Sequence, residues 1–144
     1  MSGDPEALID AAAAVRLNAH ARFSNYLVGA AVLDEHGTVH TGCNVENASY
    51  PEGICAEANA IGSMVAAGGR RIVAIAVVGG VDTNTEQTQT AEITACTPCG
   101  GCRQRILEFA DEKTVIYLHD AGGQTRRYGI EDILPLAFKL DASP

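Results

Sequence analysis

With 144 residues and a mass of 15.0 kDa, the chain has the length of one domain built around one core, and a single domain over residues 1–144 is expected. Hydrophobic residues make up 47% and charged residues 19%, which excludes a disordered tail and a fibrous repeat. Ten basic against eighteen acidic residues leave a formal charge of −8, which argues against a nucleic-acid partner, because such binding relies on Lys and Arg neutralising phosphates.

The first residues, Met1-Ser2-Gly3-Asp4-Pro5-Glu6, lack the basic-then-apolar pattern of a secretory signal. No apolar run approaches the ~20 residues of a membrane-spanning helix. A soluble, cytoplasmic protein with no membrane partner is expected. Five cysteines in a reducing compartment point to metal binding or chemistry rather than a disulfide framework.

Residues 5–20 have helical apolar spacing at Leu8, Ala12, Val15 and Ala19, with Asp4 as N-cap and Pro5 at the first helical position. Val28–Leu33 and Thr38–Val45 read as strands around a hairpin turn at 34–37. A helix is predicted from near Cys55 through Ala67, closed by Gly68-Gly69. Ile72–Val78 reads as a strand buried on both faces, and the polar Gly79–Thr94 segment as a long surface loop. Cys99–Ala110 is predicted to be helical, Thr114–Leu118 a buried strand, and Gly129–Ala137 to hold a short helix broken by Pro135. Helices alternating with apolar strands indicate an α/β fold with a βαβ core.

The chemistry concentrates in Thr97-Pro98-Cys99-Gly100-Gly101-Cys102. Thiols at i and i+3 on a first helical turn share one face, and the amide dipoles there favour the thiolate that ligates metal. Taken alone, the pair is also compatible with a redox dithiol or with no special role. Cys55-Ala56-Glu57, at a second predicted helix start, offers a third thiolate and leaves an open coordination position, the arrangement of a catalytic zinc. Glu57 is then free to take a proton from water activated at the metal and deliver it to a leaving group. Cys43 or Cys96 as a fourth ligand would instead make a non-catalytic structural zinc, but would leave Glu57 without a role.

Cysteine pairs and a nearby glutamate in this pattern are the signature of zinc nucleoside and base deaminases. The chain resembles the small zinc-dependent cytidine deaminases along nearly its whole length. The resemblance runs through Phe23–Ala31, Gly42–Tyr50, Cys55–Glu57, Pro98–Gln104 and Ile133–Phe138. It implies a three-layer α-β-α sandwich around a mixed five-stranded sheet and one Zn2+ per subunit, held by Cys55, Cys99 and Cys102. It also implies Glu57 as general acid and base, with Asn44 and Glu46 on the ribose 3′-hydroxyl. Tyr26, which stands where the family usually has Phe, and Val28 would lie beside the pyrimidine. The backbone of Ala56 would recognise the base, Tyr50 would line the site, and Phe138 would reach a neighbouring subunit of a homotetramer.

The residues also carry their own alternatives. Asn44 and Glu46 read alone as polar groups capping a turn at a strand end, and Tyr26 and Phe138 as core packing. A buried Glu46 would be hostile to a nearby 5′-phosphate, favouring free nucleosides. His20, His36, His40 and His119 fall in no ligand spacing and are expected on the surface or in loops.

The chain departs from the family where Ala58-Asn59-Ala60 follows the glutamate in place of Arg-Thr-Ala. Three thiolates on Zn2+ carry a surplus negative charge. Arg103 or Arg105 is expected to offset it in part, with Arg103 the preferred candidate. The implied activity is hydrolytic deamination of cytidine and deoxycytidine to uridine and deoxyuridine in pyrimidine salvage. The alternatives are a deaminase of another aminopyrimidine nucleoside such as blasticidin S, or a non-catalytic zinc protein. A nucleic-acid-editing deaminase is disfavoured by the charge of −8.

Overall fold

A computed structural model describes residues 4–82 and 94–140. Helix α1 spans Pro5–Arg16, and the Asp4 side chain caps it by accepting from the Glu6 N–H at 3.0 Å. It ends four residues before the predicted His20, because Asn18 and Ala19 donate to Val15 and Arg16 in tighter i→i+3 turns. His20 then turns away to bridge Val45. Asn25, at φ 58°, makes the left-handed turn into β1, a conformation Asn tolerates better than most residues.

Strands β1 (Tyr26–Asp34) and β2 (Val39–Cys43) form the predicted hairpin, followed by a single 3-10 turn at Tyr50–Glu52 and helix α2 (Ala56–Ala66). The chain continues through β3 (Ile72–Val81), α3 (Gly100–Phe109), β4 (Val115–His119), β5 (Thr125–Tyr128) and α4 (Ile130–Ile133). The five strands form one mixed sheet in the order β2-β1-β3-β4-β5; only β3 and β4 are parallel. The expected βαβ core is thus the single unit β3-α3-β4.

Alternation of side chains along the strands builds two cores. Ala31, Leu33, Ala74, Ala76, Val78 and Tyr117 pack against Leu8 and Ala12 of α1. Ala30, Val32, Ile75, Val77, Ile116 and Leu118 face the opposite way, towards Ala60 and Met64 of α2, Ile106 of α3 and Ile130 and Ile133 of α4. The layers are therefore α1, sheet, and α2 with α3 and α4.

Two glycines set how closely the helices approach. A Cβ on Gly29 would stand 2.0 Å from the Ala12 carbonyl oxygen of α1, and one on Gly42 would stand 2.4 Å from the Ala60 nitrogen of α2. Asn59 ties α2 to β2 as well, donating from Nδ2 to the Cys43 carbonyl at 2.8 Å.

The structure adds one strand that the sequence does not announce. In β5 three of the four residues are exposed, so an apolar alternation is absent, and its Arg126 and Arg127 suit a charged sheet edge. The predicted Gly79–Thr94 loop is strand at its start, with β3 running on to Val81 and Thr94 bridging back to Gly79. The rest of that segment, 83–93, lies outside the described residues. Two histidines depart from expectation. His40 is a buried β2 residue, its Nε2 2.8 Å from Asp34 Oδ2, and His119 closes β4 with both ring nitrogens buried. Among the described residues, no helix is long and apolar enough to cross a membrane.

Candidate active site

Two helix N-termini meet beside the α2-α3 core. Cys55 is the N-cap of α2 and Cys99 the N-cap of α3, both in extended backbone, and neither helix has a side-chain cap. The helices therefore present their first backbone N–H groups towards the thiols, the placement that favours sulfur anions. α3 begins one residue later than predicted, at Gly100, so Cys99 caps it while Cys102 lies buried in its first turn.

The Sγ atoms of Cys55, Cys99 and Cys102 all lie within 4.8 Å of one another, with Cys55 and Cys99 3.9 Å apart. Tetrahedral zinc with sulfur at ~2.3 Å requires sulfurs about 3.8 Å apart, so the donor set fits this ion with little movement. Neither Cys43 nor Cys96 belongs to the cluster. Among the described residues, the set offers three thiols and no fourth ligand of these types.

The protein groups alone resist joint ionisation. Burial pushes the Cys102 thiol up, and the charges of Glu57 and Cys55 add to this. Burial also raises Cys55. At Cys99, burial is outweighed by the Cys102 N–H and the neighbouring thiols, and the net shift is downward. Three crowded anions need a cation among them.

Glu57, the second residue of α2, is 4% exposed. Burial pushes its carboxyl up, against the pull of its own backbone N–H, the Cys102 thiol and the Arg105 charge. A carboxyl raised in this way moves towards the range where it both takes and gives protons near neutral pH. Ala56, between Cys55 and Glu57, is fully buried at the first position of the helix.

Asn44 sits directly after β2, where its Oδ1 accepts from the Val28 N–H at 2.8 Å and its Nδ2 donates to the Tyr26 carbonyl at 2.9 Å. It thereby fixes the start of β1. Tyr26 and Val28 pack partly buried against the α2-α3 core. The Tyr26 hydroxyl lies 3.2 Å from Thr94 Oγ1.

Glu46 is half-buried rather than buried as expected. Its Oε1 accepts from the Phe23 and Ser24 N–H groups at 2.9 and 3.1 Å, and its Oε2 accepts from the Ser24 hydroxyl. These donors, the Ser24 hydroxyl first, hold the carboxyl below its ordinary range in spite of some burial. Ser24 carries no sequence signal of this role, because its partner lies 22 positions away.

A pocket of about 230 Å³ is lined by Phe23, Glu46, Asn47, Tyr50 and Gly53, and its lining does not include the thiols. The Tyr50 ring meets Phe23 edge-on at 5.6 Å yet is 75% exposed, and Phe138 is 67% exposed. Core packing within the chain is thus not the role of Phe138.

The expectation for Arg103 is overturned. Its Nε and Nη1 donate to the carbonyls of Pro98 and Ile133 at 2.8 and 2.9 Å, whereas Arg105 Nη1 lies 3.6 Å from Cys102 Sγ. One residue beyond Cys102 is a different helix face, while three residues beyond is the same face.

Residues 3–118 match the family described as the cytidine and deoxycytidylate deaminase zinc-binding region. A cytidine deaminase of Sporosarcina psychrophila is 36% identical over 138 residues, 96% of this chain and 93% of that protein. One from Mycobacterium tuberculosis is 39% identical over 126 residues, 88% of this chain and 83% of the other. The crystal structure of cytidine deaminase from Burkholderia pseudomallei superimposes with a TM-score of 0.79 at 41% identity, covering 94% of this chain and 99% of that one. With a family match across most of its length and relatives this similar in sequence and in fold, the chain belongs to the cytidine and deoxycytidylate deaminase family.

Proposed function

We propose that the protein hydrolyses cytidine and deoxycytidine to uridine and deoxyuridine, releasing ammonia, as a homotetrameric zinc enzyme of cytoplasmic pyrimidine salvage. The observation that carries the reading is the convergence of three thiols within 4.8 Å of one another with a carboxyl, Glu57, buried at the same helix end. Cys55, Cys99 and Cys102 hold the ion. Zinc, when bound, supplies a Lewis acid that makes water a nucleophile near neutral pH.

The remaining work falls to the chain. Glu57 accepts one proton of the attacking water and passes it to N3 of the pyrimidine. The water oxygen bonds to C4, the C4–N bond breaks, and Glu57 delivers the second proton to the departing nitrogen, which leaves as ammonia. Burial of Glu57 serves both halves of this cycle, because a raised pKa makes the carboxylate a better base and keeps proton return near neutral pH feasible. The Ala56 backbone recognises the base, with Val28 and Tyr26 as the neighbouring wall.

Asn44 keeps one amide N–H and one oxygen lone pair for the ribose 3′-hydroxyl after its bonds to Val28 and Tyr26. Glu46 stays ionised beside it, which suits sugar hydroxyls and repels a phosphate. Free nucleosides are therefore the substrates. Tyr50 lines the site beside Glu46, and Phe138, exposed on the single chain, reaches the site of a neighbouring subunit.

Turnover of cytidine in heavy-oxygen water tests the reaction. The expected product is uridine with a single heavy oxygen at C4 and one equivalent of ammonia. Cytidine recovered intact from the zinc-loaded protein would overturn the reading.

A further inference from the structure

Three thiolates around a divalent ion carry a net charge of −1, and Cys55, Cys99 and Cys102 bring three sulfurs within 4.8 Å of one another. We propose that Arg105 is a positioning residue for this centre, its guanidinium offsetting the surplus charge by donating to the Cys102 sulfur. The inference rests on Cys55, Cys99 and Cys102 being the zinc ligands.

Three features of the chain converge on it. Arg105 Nη1 lies 3.6 Å from Cys102 Sγ, within reach of a charge-assisted N–H to sulfur contact. Helical side chains lean towards the N-terminus, so residue 105 covers the turn that holds 101 and 102. That turn is kept clear by Gly101, where a Cβ would stand 3.2 Å from Arg105 Nη1. A guanidinium folded towards a helix N-terminus opposes the helix dipole, and α3 has no acidic residue in its first turn to counter it. The thiolates are the anions that make this placement favourable.

The role is electronic and not architectural. Arg105 is exposed on α3, whereas Arg103 braces Pro98 and Ile133. Withdrawing a cationic N–H donor raises the energy of the sulfur electrons, which lowers the energy of thiolate-to-metal charge transfer.

The test substitutes cobalt(II) for zinc in the native protein and in Arg105→Gln, Arg105→Lys and Arg103→Gln. The native protein is expected to show the thiolate-to-cobalt charge-transfer band. That band shifts to longer wavelength in Arg105→Gln, shifts less in Arg105→Lys, and stays in place in Arg103→Gln. An unmoved band in Arg105→Gln overturns the assignment of Arg105 while leaving the ligand set intact. Equal shifts in the Arg105 and Arg103 variants overturn it too, since they reveal a general disturbance of α3. Absence of the band from the native protein overturns the ligand reading itself.

Discussion

The residues with the sharpest consequences are polar groups held in surroundings that move their titration. Asp34 is 3% exposed; burial pushes its carboxyl up, but the His40 ring and the N–H groups of Thr38 and His36 outweigh this and hold it below the usual value. A carboxyl with a lowered folded-state pKa stabilises the protein above the unfolded value of about 3.9 and loses that contribution as pH falls through the folded value. Thermal melting of the native protein should therefore fall on acidification below about pH 4, and Asp34→Asn should flatten that dependence. An unchanged acid slope in Asp34→Asn would show that other carboxyls carry it. Asp111, held at about 2 by the Arg71 side chain and the Lys113 N–H, also contributes in the acid range and remains in that variant.

The site was legible at this scale because its chemistry is written in short motifs. Cys55-Ala56-Glu57 and Cys99-Gly100-Gly101-Cys102 place each group within one helical turn of a helix start. The choice between Arg103 and Arg105 was not legible. It depends on where α3 begins and on what Pro98 and Ile133 present to Arg103, both products of tertiary packing. His40 misled for a similar reason, since its partner Asp34 becomes visible only when the hairpin closes.

At the scale of elements, the helices stand where absent side chains let them stand. A methyl on Gly42 would meet backbone atoms of α2, 2.4 Å from Ala60 N and 2.7 Å from the Ala56 carbonyl oxygen, so α2 would have to move away from β2. Overpacking of this kind costs roughly 1–3 kcal/mol. Gly42→Ala is expected to lower stability by that order and to weaken zinc retention, because Cys55 caps the displaced helix. Gly29→Ala should also destabilise, through the Ala12 and Arg16 backbone of α1, yet leave zinc content unchanged, since α1 packs on the other face of the sheet. Metal analysis of the two folded variants compares them directly; equal zinc loss in both would contradict this division of labour between the faces. The elements themselves were readable where apolar periodicity was strong, as in α2, β3 and α3. β5 was not, because its residues are mostly exposed and its pairing with β4 carries the strand.

At the scale of the molecule, the sheet separates a supporting face from a chemical one. α1 seals one side with small residues, and α2 and α3 bring two helix N-termini together on the other. The exposed Phe138, whose carbonyl accepts from Gln104 Nε2 of α3 at 3.0 Å, is the proposed bridge between subunits. Sedimentation should give four times the chain mass of 15.0 kDa. Phe138→Ala should raise KM more than it lowers kcat, or shift the assembly to smaller species. A fully active monomer would contradict the proposed sharing of sites.

In the proposed reaction a zinc centre and Glu57 together deaminate cytidine. Ultraviolet absorbance of cytidine incubated with the zinc-loaded protein, run beside Glu57→Gln at matched zinc content, tests it most directly. Loss of the aminopyrimidine band is expected with the native protein and no measurable loss with the folded, zinc-bound variant. Native-level turnover by Glu57→Gln, or none by the zinc-loaded native protein, would contradict it.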